Sequence, residues 1–166
     1  RPLERVWYEY ISMLDRDANM IFMNYGWAGV NSDPAPLPLQ PEDEPNRYCI
    51  GLYHRVASAV DLDGLDVLEV GCGRGGGASY VKRYLVPKTL TGVDLAANAI
   101  AFCREHYAIP GLTFVRGDAQ TLKFEDSSFD AVINVESSHC YGSMDRFLAE
   151  VVPPVERESQ GPPRKY

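Results

Sequence analysis

Gly71, Gly73 and Gly76 fall in a G-x-G-x-x-G spacing. The apolar run Asp66-Val67-Leu68-Glu69-Val70 precedes them, and a stretch in which Ala78, Val81 and Leu85 share a helical face follows. Glycines in a strand-to-helix turn accept positive φ and let a ligand approach the backbone at the helix amino terminus. Dinucleotides and S-adenosylmethionine both use such a turn. Glu69, two residues before the first glycine, discriminates between them. A carboxylate there would repel the pyrophosphate of a dinucleotide, whereas it attracts the methionine ammonium of S-adenosylmethionine. Asp94 ends the next apolar run, with Leu95 beside it, and is placed to accept both ribose hydroxyls of either cofactor. Asp118 suits the adenine amino group, with Ala119 nearby, and Val135 and Glu136 complete the crevice. A lone acid at such a position is about as often a solvated turn residue or a helix cap. Four acids at the ends of four different strands favour a site, because ligands of open α/β sheets bind outside the strands' carboxyl ends. The chemistry implied is methyl transfer from a sulfonium, an in-line displacement for which alignment and one general base suffice. His139, three residues beyond Glu136, is the candidate base, an imidazole being the side chain suited to proton transfer near neutral pH. The alternative is a histidine that only hydrogen-bonds a backbone group. His54 and His106 read as packing or helix-dipole residues.

These side chains need a frame that brings strand ends to one edge, and the chain between residues 61 and 152 alternates accordingly. Strands are expected at 66–70, 89–93, 112–115 and 129–135, the last mostly apolar, as a strand buried on both faces should be. Helical spacing links Ala78, Val81 and Leu85, then Leu95, Ala99, Phe102 and Cys103, then Met144, Phe147, Leu148 and Val151. Pro87, Pro110-Gly111 and Pro153-Pro154 stop those helices. The βαβαβ order predicts a parallel sheet with crossover helices on both faces, a Rossmann-like arrangement truncated after the fourth strand.

Residues 1–60 have a different texture and read as a helical lid segment. Leu3, Val6, Trp7, Tyr10 and Leu14 share one helical face. The stretch with Pro34, Pro36, Pro38, Pro41 and Pro45 reads as an ordered loop. Pro45 then opens a helix in which Tyr48, Leu52, Val56 and Ala59 recur at helical spacing as an apolar stripe, to about Val60. Trp7, Tyr8, Tyr10, Phe22, Tyr25 and Trp27 either cover an apolar acceptor or are plain core. The polar tail 153–166 reads as disordered, which would leave the fourth strand as an exposed apolar edge open to self-association.

Composition narrows the classes further. The chain has 166 residues, 45% hydrophobic and 23% charged, an ordinary globular balance of one-domain size. Its net charge of −7 argues against a general nucleic-acid binder. No apolar run reaches the ~18–20 residues of a membrane helix. Nothing near Arg1 has the layout of a signal peptide. Cys49, Cys72, Cys103 and Cys140 are too dispersed for a zinc framework or a disulfide scaffold, so no metal is expected and a reducing cytoplasm is the expected setting.

Val67-Leu68-Glu69-Val70-Gly71-Cys72-Gly73, Gly92-Val93-Asp94, Gly117-Asp118-Ala119 and the run Phe124–Asp130 resemble motifs of the class I S-adenosylmethionine-dependent methyltransferases. A closer likeness runs from about Phe22 to Val152. Glu44-Pro45-Asn46-Arg47, Leu52-Tyr53-His54-Arg55, Gly75–Tyr80 and Val135–Tyr141 are similar to the phthiotriolone/phenolphthiotriolone dimycocerosates methyltransferases and related fatty-acid O-methyltransferases. The resemblance implies an O-methyltransferase acting on a hydroxyl of a hydrophobic, lipid or secondary-metabolite acceptor. It supports a histidine at position 139, and it implies that Tyr25, within Asn24-Tyr25-Gly26-Trp27, contacts the methionine part of the cofactor. Tyr141 would line the acceptor site. Family members continue with further strands where this chain runs into Pro153-Pro154. A second reading therefore stands beside the enzyme: a truncated, inactive remnant that binds the cofactor or serves as an interaction module. Nicotinamide-dependent oxidoreduction is disfavoured by Glu69.

Overall fold

The computed structural model describes residues 20–29 and 37–152. The helix expected over 3–14, with Trp7, Tyr8 and Tyr10, lies outside them, as do Pro34, Pro36 and the 153–166 tail. Among the described residues four strands form: β1 (Asp66–Val70), β2 (Thr89–Asp94), β3 (Leu112–Arg116) and β4 (Ala131–Ile133). All pairings are parallel and the order is β3-β2-β1-β4, with Glu69 in register with Gly92 on one side and Ile133 on the other. The helices are α1 (Arg47–Ala57), α2 (Gly76–Tyr84), α3 (Ala97–His106) and α4 (Met144–Val151). A 3-10 turn, Glu44–Asn46, holds Pro45 in its first turn and runs directly into α1.

Strand periodicity sorts the core into two layers. Val67, Leu90, Leu112 and Phe114 pack with Ile50 and Tyr53 of α1, Ala78 and Val81 of α2, and Ile100 and Cys103 of α3. Leu68, Val70 and Val93 face the other way, under Ala119 and Phe147 of α4. Helices therefore cover both faces, as expected. Because β4 returns to the side of β1 opposite β2, the strand order reverses at β1, and a crevice opens at the carboxyl ends of β1 and β4.

The structure departs from the sequence pattern at three points. The stripe Tyr48, Leu52, Val56 and Ala59 does not form the buried face of α1: Tyr48 is 65% and Val56 41% exposed, while Ile50, Tyr53 and Ala57 are buried. The helix carries two apolar stripes, and contact with α2 and the sheet selects the second. The fourth strand is three residues, not seven, and Val132 is partly exposed because β4 has a strand partner on one side only among the described residues. Leu95 precedes α3 instead of lining it.

The segment entering α1 is tied down by Asp43, a buried carboxylate that accepts both Arg83 guanidinium nitrogens (2.7 and 2.8 Å) and the Tyr84 hydroxyl (2.6 Å). Arg83 holds the Asp43 carboxyl below its ordinary value of 3.8. The stability it contributes is thus present above about pH 4 and disappears as pH falls through the lower folded value. Asp43→Ala should cost about 1–2 kcal/mol, discounted because Arg83 is partly exposed. Urea titration at pH 7 measures that loss, and the variant should also lack the acid limb expected of wild type below about pH 4.

Candidate functional site

The turn after β1 is shaped by backbone geometry that side chains resist. Gly71 has φ +78° and Gly73 φ +53°. The amides of Gly71 and Cys72 both donate to the Val93 carbonyl (2.7 and 3.0 Å), folding the turn across the end of β2. The Gly73 amide donates to Asp94 Oδ2 (2.9 Å), and the Ala96 amide to Asp94 Oδ1 (2.8 Å). Asp94 thus holds the glycine turn and the start of α3 together while its remaining lone pairs face the crevice. Burial raises its carboxyl above the ordinary 3.8, against those backbone donors.

Glu69 lies at the centre of the sheet and is 1% exposed. Its Oε1 accepts the Tyr53 hydroxyl at 2.7 Å, and Oε2 has no hydrogen-bond partner among the described residues. Burial pushes the Glu69 carboxyl up to about 7; the Tyr53 hydrogen bond opposes this and the Asp94 charge adds to it. A buried carboxylate oxygen without a donor is costly unless a cationic group completes it.

Above these groups is a cavity of about 760 Å³ at the carboxyl ends of the strands. Gly71, Gly73, Asp94, Leu95, Asp118, Ala119, Val135 and Glu136 all line it, so the sequence-derived crevice is assembled. Asp118 is shaped by its own turn, Oδ1 accepting the Gln120 amide at 2.9 Å. Glu69 is not itself on the wall; it is joined through its hydrogen bond to Tyr53, and through the chain to Val70, both of which are. The wall carries the acids Asp94, Asp118 and Glu136 and, among the described residues, no Lys, Arg or His.

Residues 20–29 pass over the cavity. The Ile21 carbonyl accepts the Gly76 amide (3.2 Å), the Tyr25 amide donates to Glu136 Oε2 (2.9 Å), and the Trp27 amide donates to the Tyr48 carbonyl (2.9 Å). Ile21, Phe22, Met23 and Asn24 line the cavity, but Tyr25 is 98% exposed and off the wall, joined to the site through the bond its amide donates to Glu136. His139 also stands away from the cavity. It is an exposed residue of the 3-10 turn Ser138–Cys140, whose neighbours Ser137 and Cys140 line the wall. The local sequence placed both residues in the correct loops; the direction each side chain takes is set by the turn, which alternates inward and outward positions. Glu136 itself has φ +48°, a strained conformation for a non-glycine residue at the end of β4.

A polar cluster that sequence reading missed closes the β1–β4 side. Asn134 Nδ2 donates to the Val70 carbonyl, Ser137 Oγ and Tyr141 Oη, each at 2.9 Å. Tyr141, expected as an acceptor-site residue, lines the cavity while its ring packs on Phe147 (5.0 Å). Nothing in the spacing of Asn134, Ser137 and Tyr141 advertised the cluster. Tyr53 was missed as a site residue because its helix precedes β1.

Comparison with known proteins places this geometry among relatives. A family model described as a methyltransferase domain matches residues 68–154. The phthiotriol/phenolphthiotriol dimycocerosates methyltransferase of Mycobacterium tuberculosis is 51% identical over 152 residues, covering 90% of this chain and 56% of that protein. The fatty-acid O-methyltransferase of Mycolicibacterium smegmatis is 50% identical, covering 89% of this chain and 53% of that protein. The chain thus spans little more than half the length of the curated relatives it matches. Among solved structures, the [4+2]-cyclase SpnF superposes with a TM-score of 0.57 at 29% identity, covering 61% of this chain and 39% of that one. A SAM-dependent methyltransferase from Aquifex aeolicus gives 0.57 at 18% identity, covering 66% and 61%, a likeness of fold alone.

Proposed function

The chain belongs to the methyltransferase domain family, and from that premise we propose that it binds S-adenosylmethionine in the cavity at the strands' carboxyl ends and supports methyl transfer to a hydroxyl of a hydrophobic acceptor. One observation carries the cofactor reading: a cavity lined by acids and, among the described residues, by no cationic side chain, backed by Glu69 Oε2, buried and without a hydrogen-bond partner among them. That electrostatic field suits a ligand bearing an ammonium and a sulfonium and opposes a pyrophosphate. The residues fit. Glu69 would hold the ammonium, Asp94 the ribose hydroxyls, and Asp118 with Ala119 the adenine. Phe22, Met23 and Leu95 would exclude water.

S-adenosylmethionine, when bound, supplies an activated methyl carbon. The work left to the protein is to orient the acceptor and take its proton. His139 is the proposed base, for an acceptor entering along the rim, since the imidazole is exposed beside the cavity-lining Cys140. The relatives named as lipid methyltransferases support a lipid acceptor. The partly exposed edge strand β4 supports self-association of this chain as a further proposal.

Calorimetric titration of the 166-residue chain with S-adenosylhomocysteine, with NADH as control, tests the cofactor reading. Stoichiometric binding of the first and silence with the second are expected. Asp94→Ala should weaken that binding by about 1.5–3 kcal/mol, as loss of hydrogen bonds to a charged group does. NADH binding, or an unchanged dissociation constant in the variant, would overturn the assignment.

A further inference from the structure

Glu69 is a strand residue, yet the group that decides how it presents itself comes from α1. The Tyr53 ring is 6% exposed, and its path to the sheet runs over Gly77. A Cβ at Gly77 would stand 1.9 Å from Tyr53 Cζ and 2.5 Å from the hydroxyl oxygen, so any side chain there would evict the phenol. Phe22 closes the other side edge-on, with ring centroids 5.9 Å apart. Tyr53 is thus held by three elements while its hydroxyl donates to Glu69 Oε1.

We propose that Tyr53 is the positioning residue of the cofactor pocket: its hydroxyl occupies Glu69 Oε1, so that Oε2 alone is offered to a ligand ammonium, and Gly77 is the notch that admits it. The proposal rests on the cofactor reading above and adds to it a residue and a proton linkage. A hydrogen bond donated to the ionised form favours ionisation. Tyr53 therefore makes the carboxylate available at neutral pH in a site whose burial works against it. The charged and titratable groups facing Glu69 are Tyr53 from α1, Asp94 from the end of β2, Cys72 from the glycine turn and, more remotely, Tyr107 beyond α3. Asp94 and burial disfavour the charge on Glu69; Tyr53 is the group that favours it. A cationic ligand selects the ionised carboxylate, so affinity rises with pH until Glu69 is fully ionised and then levels off.

Tyr53→Phe removes the hydroxyl and keeps the packing. The test follows the Glu69 carboxyl carbon by NMR across pH in ligand-free wild type and variant, and S-adenosylhomocysteine affinity at pH 6, 7 and 9. The Glu69 midpoint should move up by roughly one pH unit in Tyr53→Phe. Affinity should fall about tenfold at pH 6 and about fivefold at pH 7, while at pH 9 the two proteins should agree within about twofold. Gly77→Ala should move the ligand-free midpoint the same way, and the double variant should add little to either single change. An unchanged midpoint, or a loss of affinity equal at all three pH values, overturns the proposal, because a purely structural role predicts that pattern. If the midpoint shifts but wild type binds no S-adenosylhomocysteine at any pH, the positioning of Glu69 stands and the cofactor reading fails.

Discussion

Glu69→Gln should weaken S-adenosylhomocysteine binding by roughly 10²- to 10³-fold at pH 8 while making the ligand-free protein more stable. The two signs have one cause. Glutamine keeps the shape and the Tyr53 hydrogen bond but offers no charge, so a buried ammonium loses its counter-ion, a change worth about 3–4 kcal/mol in comparable settings. Without ligand, the wild-type carboxyl holds its proton up to about pH 7, whereas an unconstrained glutamate releases it near 4.5. The unfolded chain therefore gives up its proton first as pH rises. Stability is full below about pH 4.5 and falls between there and 7, by about 3 kcal/mol once Glu69 is ionised. Glu69→Gln has no such loss. Thermal melts of both proteins at pH 5 and pH 8 should differ little at the lower pH and favour the variant at the higher. Equal affinity in the variant would remove Glu69 from the ligand's surroundings, and identical stability at pH 8 would mean that the carboxyl ionises freely.

Gly71→Ala should be among the most damaging single-methyl additions in the chain. Gly71 sits at φ +78°, and a Cβ there would meet Ser137 Oγ at 2.2 Å and Tyr141 Oη at 2.9 Å. Ser137 cannot simply rotate away, because Oγ accepts from Asn134 and lies 3.2 Å from the Val70 carbonyl. Left-handed strain on a non-glycine residue costs about 1–3 kcal/mol, and overpacking a fixed neighbour costs about as much again. A loss of about 2–5 kcal/mol corresponds to a melting temperature lower by roughly 5–15 °C. S-adenosylhomocysteine binding should be lost with it, since the turn pairs with Val93 and Asp94 as one unit. The paired variant Gly71→Ala/Ser137→Gly removes the nearest clash and should recover about half of the stability. Recovery of none would place the cost in the backbone alone.

The stability and the ligand chemistry of this site oppose each other in the same residues. Glu69 and Asp94 are both buried acids whose carboxyls are raised by desolvation, and they face one another's charge across the end of β1 and β2. A structure selected only for stability would place apolar side chains in the sheet at 69, as it does at 67, 68 and 70. The acid at that one position supports the proposed ligand-directed site.

Much of this was legible without coordinates, for local reasons. Short apolar runs with acids at or just past their ends, separated by helical spacings and stopped by Pro87 and Pro110-Gly111, specify strands, helices and their order, because each signal acts within a few residues. Right-handed crossovers then leave few topologies, and the carboxyl ends of the strands must share one edge. Asp94, Asp118 and Glu136 consequently collect at one crevice, with Glu69 buried just behind it. What remained depended on partners distant in the chain. Which apolar stripe of α1 is buried depends on the shape that α2 and the sheet present, and both stripes look alike in sequence. Whether Tyr25 and His139 point inward depends on turns tied across 111 residues by Glu136 or set by the Ser138–Cys140 turn. The Tyr53–Glu69 hydrogen bond and the Asn134–Ser137–Tyr141 cluster likewise depend on how helix α1 and the β4 loop dock. The sequence by itself determined which groups reach the strand ends, since strand periodicity and connection handedness are local rules. Only the tertiary structure decided how each group is satisfied there, since burial and hydrogen-bond partners are supplied by elements far away along the chain.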